Sequence, residues 1–153
     1  LLMATVVTSD IVLEDIDMGY AAIKRNLAGI GKTRIETGLF GETEASKGVW
    51  LEFGTADAPA RPWLSNAADN GKNFIASAMA DAVDDVAMGA AAKPAMDKVG
   101  EVSAKIARDV LGSPSVGGPA LAPATIDRKG HGRKGVDTGD MQRAVKSKVR
   151  VRG

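Results

Sequence analysis

The segment VWLEFGTADAPARPWL, residues 49–64, decides how this chain is built. It contains both tryptophans and one of the three phenylalanines of a chain in which aromatic residues make up only 4%. Each large aromatic side chain can bury roughly 150–250 Å², so we expect Trp50, Phe53 and Trp63 to anchor the core. Gly54 and two prolines interrupt regular structure, and the segment should therefore connect a short helix to a longer one.

The composition is that of a globular protein without an obvious catalytic centre. A length of 153 residues with 44% apolar and 25% charged residues indicates one domain, residues 1–153. The absence of cysteine excludes disulfides and thiolate chemistry, and a single histidine, His131, argues against a histidine metal cluster or a Ser-His-Asp triad. We therefore expect no enzyme, metal or cofactor. Neither a signal peptide nor a membrane-spanning run of about 20 apolar residues is expected.

Charge is distributed unevenly along the chain. Residues 1–60 carry five basic and nine acidic side chains, whereas residues 125–153 carry nine basic and three acidic ones. This asymmetry suits head-to-tail contacts between subunits, or a basic arm that binds an acidic partner or nucleic acid. A solvated tail with no partner is the alternative.

Residue patterns predict an α+β fold: a small antiparallel or mixed β-sheet packed against one long helix and several shorter helices, with a long Gly/Pro-rich loop at 112–135. A strand or ordered arm is predicted within residues 1–9 and strands at 33–40 and 145–151. Predicted helices are 10–27, 44–53, about 62–89, one from Pro94 to about 111, 124–129, and a short one that Asp137 or Thr138 caps, ending near 145.

Three shorter motifs favour plain structural roles. Residues 29–33, GIGKT, resemble a phosphate-binding loop, but Asn26 stands where its first glycine is required. The carboxylates of Asp81, Asp84 and Asp85 could bind a cation, although a solvated helix face is the simpler interpretation. The Asp-Thr-Gly at 137–139 could suggest half of an aspartic-protease site, but a helix cap with a turn glycine explains it better.

Two longer motifs occur together in a fixed order. The first is EFGT at residues 52–55 followed by PARPWL at 59–64; the second is LAPATIDRKG at 121–130 followed by VDTGDM at 136–141. Together they resemble the neck, tail-completion or head–tail joining proteins of long-tailed double-stranded DNA bacteriophages and prophages. The resemblance covers roughly residues 34–151. That family commonly has a bulky apolar pair before Asp-Thr-Gly, where this chain has Gly135-Val136.

The resemblance implies a non-enzymatic virion protein that assembles as a homo-oligomeric ring, commonly a hexamer. Such a ring joins the tail to the head connector, binds other neck and tail proteins, and lets DNA pass; assembly takes place in the host cytoplasm. A tail terminator or head-closure protein of the same junction is the alternative. The residues predicted to contact a neighbouring subunit are Arg61, Trp63, Lys129, Asp137 and Arg150. Those predicted to face DNA in the lumen are Arg133, Lys134, Lys146 and Lys148.

Arg61 has two interpretations. Pro62 follows it on a stiff backbone, so its guanidinium could clamp a carboxylate or backbone carbonyls of a neighbouring subunit. Equally, it could form an ion pair with Glu52 or Asp57 of its own chain. A nucleic-acid-binding module that uses the basic C-terminal residues is the second functional hypothesis, but that stretch of sequence contains no aromatic residue on which a base could stack.

Overall fold

A computed structural model describes residues 19–152, and these form an α+β fold. The elements are α1 Tyr20–Gly31, β1 Thr33–Leu39, α2 Glu42–Phe53, α3 Leu64–Ala87, α4 Ala92–Val110, a 3₁₀ turn Pro114–Val116, α5 Pro123–Lys129, α6 Asp140–Ala144 and β2 Val145–Val151. The predicted fold class is confirmed. The predicted arm at 1–9 and the first half of the predicted helix 10–27 lie outside the described residues. Helix α1 continues past Gly29 to Gly31.

The two strands form an antiparallel sheet that joins distant parts of the chain. Thr33 pairs with Val151 at one end and Leu39 with Val145 at the other. Because side chains alternate between the faces of a strand, Ile35, Leu39 and their neighbours on β2 can pack against α4. Helix α3 in turn packs along α4, so α4 lies at the centre of the subunit.

The core is aliphatic and is divided into two clusters. One cluster is centred on Trp63 and the C-terminal half of α4, and the other on Val86, Val99 and the N-terminal half of α4. Alanine and valine dominate both clusters, and Trp63, with 2% of its surface exposed, is the only aromatic core residue among residues 19–152. Small side chains let the helices approach closely, so the fold depends on tight backbone packing rather than on aromatic bulk.

The prediction that Trp50 and Phe53 are core residues is wrong. Trp50 is 58% exposed and Phe53 77% exposed. Helix α2 buries the side that carries Gly48 and Leu51, and a rotation of 100° per residue places Trp50 and Phe53 on the opposite side. At Gly48 a Cβ atom would lie 2.6 Å from Leu39 Cδ1 and 3.3 Å from the Trp63 ring. The helix packs on this side because glycine leaves room for Trp63.

The exposed side chains of the two long helices include an aromatic residue and ion pairs. Phe74 of α3 is 69% exposed. On α4, Lys105 binds Asp109 and Glu101 lies 3.5 Å from Arg108. None of the helices between residues 19 and 152 is long and apolar enough to cross a membrane.

Candidate interaction site

Arg61 holds a distant loop of its own chain. Its Nη2 donates hydrogen bonds to the carbonyls of Pro119, at 3.3 Å, and Ala120, at 3.4 Å. The predicted local ion pair with Glu52 or Asp57 is therefore wrong. The guanidinium does bind backbone carbonyls, as the other interpretation required, but those carbonyls belong to the same subunit.

Glu52 caps the N-terminus of the long helix α3, although it does not belong to that helix. Its carboxylate accepts hydrogen bonds from the backbone N–H groups of Trp63 and Leu64, both at 2.9 Å, and of Ser65, at 3.2 Å, as well as from the Ser65 hydroxyl. These N–H groups have no partner within the helix, and a negative charge there also complements the helix dipole. Burial alone would raise the pKa of Glu52, but these hydrogen bonds outweigh it and lower the pKa.

Sequence reasoning missed this role of Glu52 because the cap is not local. A helix cap is normally sought one to three residues from the helix start. Glu52 instead lies twelve residues before Leu64, and the connection between α2 and α3, residues 54–63, separates them. We call this connection the elbow. The sequence indicates this cap only through the first motif, which contains both Glu52 and the start of α3. The first motif therefore encodes the end of α2, the elbow and the start of α3, and the Glu52 carboxylate within it caps α3.

The Gly/Pro-rich loop packs against this elbow. Lys134 Nζ donates to the carbonyls of Gly117, at 2.9 Å, and Gly118, at 2.8 Å. At Gly118, where φ is +66°, a Cβ atom would lie 2.5 Å from the Ala60 carbonyl oxygen, so only glycine permits this approach. Val116 is fully buried and fixes the start of the loop in the core. Lys134, predicted to face DNA, is instead engaged in holding this loop.

The two sequence motifs meet around one polar cavity of about 450 Å³. Leu51 and Arg61 line it from the elbow side, while Lys129 and the 137–140 turn line it from the other side. The lining residues carry both signs of charge: Lys47, Arg61, Arg128, Lys129, Asp137 and Asp140. Burial lowers the pKa of Lys129, and the charge of Asp137 opposes this effect. Three of the five predicted subunit contacts, Arg61, Lys129 and Asp137, are thus brought together.

The Asp-Thr-Gly turn belongs to this cavity as the start of α6. Gly139, with φ of +83°, is the N-cap residue of α6 and no side chain caps this helix, so the prediction that Asp137 or Thr138 caps it is wrong. The Thr138 hydroxyl and the Arg143 guanidinium bind the Asp140 carboxylate and lower its pKa. His131 lies beside the same turn, with Nε2 3.4 Å from the Asp137 carbonyl oxygen.

The outer face of the sheet is basic. Lys146, Lys148 and Arg150 alternate along β2 on this face, where Arg34 is the partner of Arg150 across the sheet. Glu36 binds Arg150 at 3.0 Å and lies 3.5 Å from Arg34. Exposed ion pairs of this kind contribute at most about 1 kcal/mol, so Arg150 can still exchange Glu36 for a carboxylate of another molecule.

The remaining predicted residues lie in different environments. Trp63 is a core residue whose indole N–H donates to the Gly48 carbonyl at 3.0 Å, and its burial corrects the prediction that it contacts a neighbour. Arg133 is exposed beside Gly112. Lys148 Nζ lies 4.1 Å from the centre of the Phe40 ring. The fold therefore places an aromatic side chain at the basic face, although none occurs in the basic stretch of sequence.

An apolar groove of about 490 Å³ lies beside the end of β1. The last residues of β1 and Phe40 form one wall, Val49 and Phe53 of α2 the second, and Leu64 and Ala68 of α3 the third. Sequence reasoning missed this groove because it assigned Phe53 to the core. The exposure of Phe53 is the consequence of its position in an open groove.

Within residues 19–152, no group of three or more His, Asp or Glu side chains is placed to hold a metal ion. The chain matches no family model, and comparisons with curated proteins and with solved structures also give no match.

Replacing Arg61 with alanine should loosen the loop at 117–122 while leaving the subunit folded. Two hydrogen bonds of 3.3–3.4 Å to Pro119 and Ala120 would be lost, which we expect to cost about 1 kcal/mol. Hydrogen exchange should therefore accelerate at residues 117–122 and remain unchanged in α4. Arg61→Lys is the matched control, because one ammonium can replace only part of the guanidinium contact. Equal exchange rates in the alanine variant and the parent would contradict this role.

Proposed function

We propose that the chain is a structural subunit of a phage head–tail junction, in which copies form a ring that joins tail to head connector while DNA passes through. The paired sequence motifs suggest this role, and their convergence on one cavity supports it. Tail termination and head closure at the same junction are the alternatives. The proposal places the protein in the virion and makes neck and tail proteins its partners.

The observation that carries the proposal is the placement of the aromatic residues. Tyr20 is 70% exposed, Trp50 58% and Phe74 69%, and none of them lines the apolar groove. Exposing its few aromatic side chains to water does not stabilise an isolated protein. Tryptophan and tyrosine are, however, enriched where subunits meet. The exposed aromatics therefore support a subunit that is covered on several sides by other proteins.

The polar cavity supports contacts between identical subunits. Arg128 and Asp137 are both exposed at its lining, so one surface offers a cation and an anion. A head-to-tail contact joins two different surfaces of the subunit and closes into a ring when the rotation between subunits is suitable, and this mixed-charge cavity would form one side of such a contact. Arg61, Lys129 and Asp137 are the residues of this cavity that we assign to the contact.

Substitution of Trp50 by alanine tests the proposal. Because Trp50 is mostly exposed, the variant should fold normally but assemble poorly, by at least about tenfold in the subunit concentration needed for a ring. Sedimentation of the purified protein measures assembly, and Trp50→Phe, which keeps most of the apolar area, is the control. A parent protein that stays monomeric with and without tails or connectors would contradict the proposal.

Electron microscopy of phage particles made without the protein separates the alternatives. Filled heads beside finished, unattached tails would indicate joining, and overlong tails would indicate termination. Particles of normal appearance and infectivity would overturn all of these assignments.

A DNA-binding module is the second candidate, and the basic outer face of the sheet favours it. Lys146, Lys148 and Arg150 form a row of cations there, and Phe40 lies beside Lys148. A module of this kind should bind DNA as a monomer, with affinity that falls steeply as salt increases. A DNA titration of the monomer at several salt concentrations distinguishes it from a ring subunit that touches passing DNA only weakly.

A further inference from the structure

The turn between α3 and α4, together with the helix ends on either side of it, carries an excess of negative charge. Residues 77–98, which we call the hairpin tip, include four aspartates and two lysines. Asp85 binds Lys98 at 2.9 Å. Asp84 is exposed and forms no ion pair with any of residues 19–152. The hairpin tip therefore presents an anion that its own subunit does not neutralise.

The position of Asp84 on its helix makes this charge unfavourable in an isolated subunit. Asp84 lies in the last turn of α3, where no basic side chain occurs. The C-terminal end of a helix carries a partial negative charge, so a carboxylate there destabilises the helix and a nearby cation relieves the effect. Met88 follows one turn later on the same side and is 90% exposed. The hairpin tip thus offers an anion beside an apolar side chain.

The polar cavity has the complementary composition. Its lining includes four cations and two carboxylates, which leaves an excess of positive charge. Arg128 is exposed there and forms no ion pair with any of residues 19–152. The apolar side chains of Leu51, Leu121 and Met141 line the same space. The cavity can therefore accept a carboxylate together with an apolar side chain.

A subunit cannot fill this cavity with its own hairpin tip. The cavity adjoins the start of α3, because Arg61 and Leu51 line it and Leu51 packs against the core cluster that contains Trp63. The hairpin tip lies at the other end of α3, where Val86 belongs to the second core cluster. Helix α3 between them is about 36 Å long. The tip that can reach the cavity is therefore that of a second copy.

We infer that the hairpin tip of one subunit docks into the polar cavity of the next, with Asp84 bound by Arg128 and Met88 against the apolar lining. Matching surfaces at opposite ends of one subunit are what a head-to-tail contact requires. The inference rests on the proposed ring and names the second side of its contact. The basic outer face of the sheet is the competing acceptor, where Glu36 already supplies a carboxylate to Arg150.

Reversing the charge of Asp84 tests the contact. Asp84→Lys should raise the subunit concentration needed for a ring about tenfold or more in sedimentation, because it places a cation against Arg128. Asp69→Lys is the matched control, since Asp69 is an exposed aspartate of the same helix outside the hairpin tip; it should have less than about a twofold effect. A cation at the end of α3 favours the helix, so the Asp84→Lys monomer should melt no earlier than the parent.

The second half of the charge exchange is Arg128→Asp. Alone, it should weaken assembly about tenfold or more, and combined with Asp84→Lys it should restore the ring to within about threefold of the parent. Combined with Asp69→Lys it should not. Parent-like assembly by Asp84→Lys, or a failure of this rescue, would overturn the inference. Rescue of Asp84→Lys by Lys148→Asp instead would also overturn it and would place the hairpin tip on the sheet face.

Disulfide trapping locates the contact, because the protein has no cysteine of its own. Met88→Cys is combined with Thr125→Cys, or with Thr138→Cys to allow for a shift; both threonines line the cavity. The control combines Met88→Cys with Asn73→Cys, an exposed position in the middle of α3. Mild oxidation should link at least one cavity pair between subunits about ten times faster than the control, since the bond requires Cα atoms within about 7 Å.

The outcomes separate this inference from the proposed function. A parent protein that forms a ring but shows neither charge rescue nor a fast cavity disulfide would overturn the inference and leave the ring. A disulfide that forms within one subunit would overturn the placement of the hairpin tip far from its own cavity. A parent protein that stays monomeric with and without tails or connectors would overturn both the inference and the proposed function.

Discussion

Replacing Trp63 with alanine should lower the free energy of unfolding by about 3–5 kcal/mol, the usual cost of deleting a buried aromatic side chain. Trp63 is 2% exposed and lies in a core cluster otherwise made of alanine, valine and leucine. The Gly48 carbonyl would also lose its hydrogen bond from the indole N–H. Urea denaturation measures the change.

The second tryptophan provides a matched control. Trp50→Ala removes a side chain of the same size, but this side chain is mostly exposed. The substitution should therefore change the free energy of unfolding by no more than about 0.5 kcal/mol. Trp63→Phe should fall between the two, since it keeps most of the buried volume but loses the rest of it together with the hydrogen bond. Equal destabilisation by Trp50→Ala and Trp63→Ala would contradict the assignment of the core.

Replacing Glu52 with alanine should cost about 2–3 kcal/mol. Three backbone N–H groups at the start of α3 lose a charged acceptor at once, and hydrogen bonds to a charged group are worth about 1.5–3 kcal/mol. Glu52→Gln, which keeps one acceptor oxygen without the charge, should lose about half as much. Hydrogen exchange should show the first turn of α3 opening. If the alanine variant were as stable as the parent, Glu52 would not be the cap.

The same carboxylate should make stability depend on pH. The pKa of Glu52 is lower in the folded protein than its ordinary value, so the folded state favours the ionised form. Its contribution is therefore complete above the unfolded pKa of about 4.3 and is lost as pH falls through the folded pKa. In Glu52→Gln this acid-side loss should shrink, which denaturation at pH 7 and pH 3 can measure. Identical pH dependence in the two proteins would contradict the assignment.

Local patterns were sufficient for the helices and strands of the fold. The apolar spacing of α3 and α4 and the alternation of Ile35 with its charged neighbours predicted elements within a few residues of their bounds. These patterns depend on periodicities of 3.6 and 2 residues. The pairing of β1 with β2, by contrast, joins distant segments, so the sequence supported an antiparallel or mixed sheet but could not specify the register.

The candidate site was predicted only in part because its contacts are not local. Arg61, Lys129 and Asp137 were singled out, and the fold brings them to one cavity. Aromatic size alone suggested burial for Trp50 and Phe53, but burial in this Ala/Val core is decided by which side of α2 carries Gly48. Similarly, Lys134 was grouped with the other cations by sequence, whereas the glycine carbonyls of the loop bind it.

The antiparallel pairing has a consequence for how the subunit is made. Among residues 19–152, β1 precedes every helix except α1, whereas β2 follows all of them, so β1 cannot pair with β2 during synthesis until helices α2 to α6 have been made. Closing so large a loop is entropically costly and slows folding. In that interval both edges of β1 and its apolar face are open to other nascent chains. Helices α3 and α4 can pair earlier, so we expect the helical hairpin to form first and the sheet to complete folding.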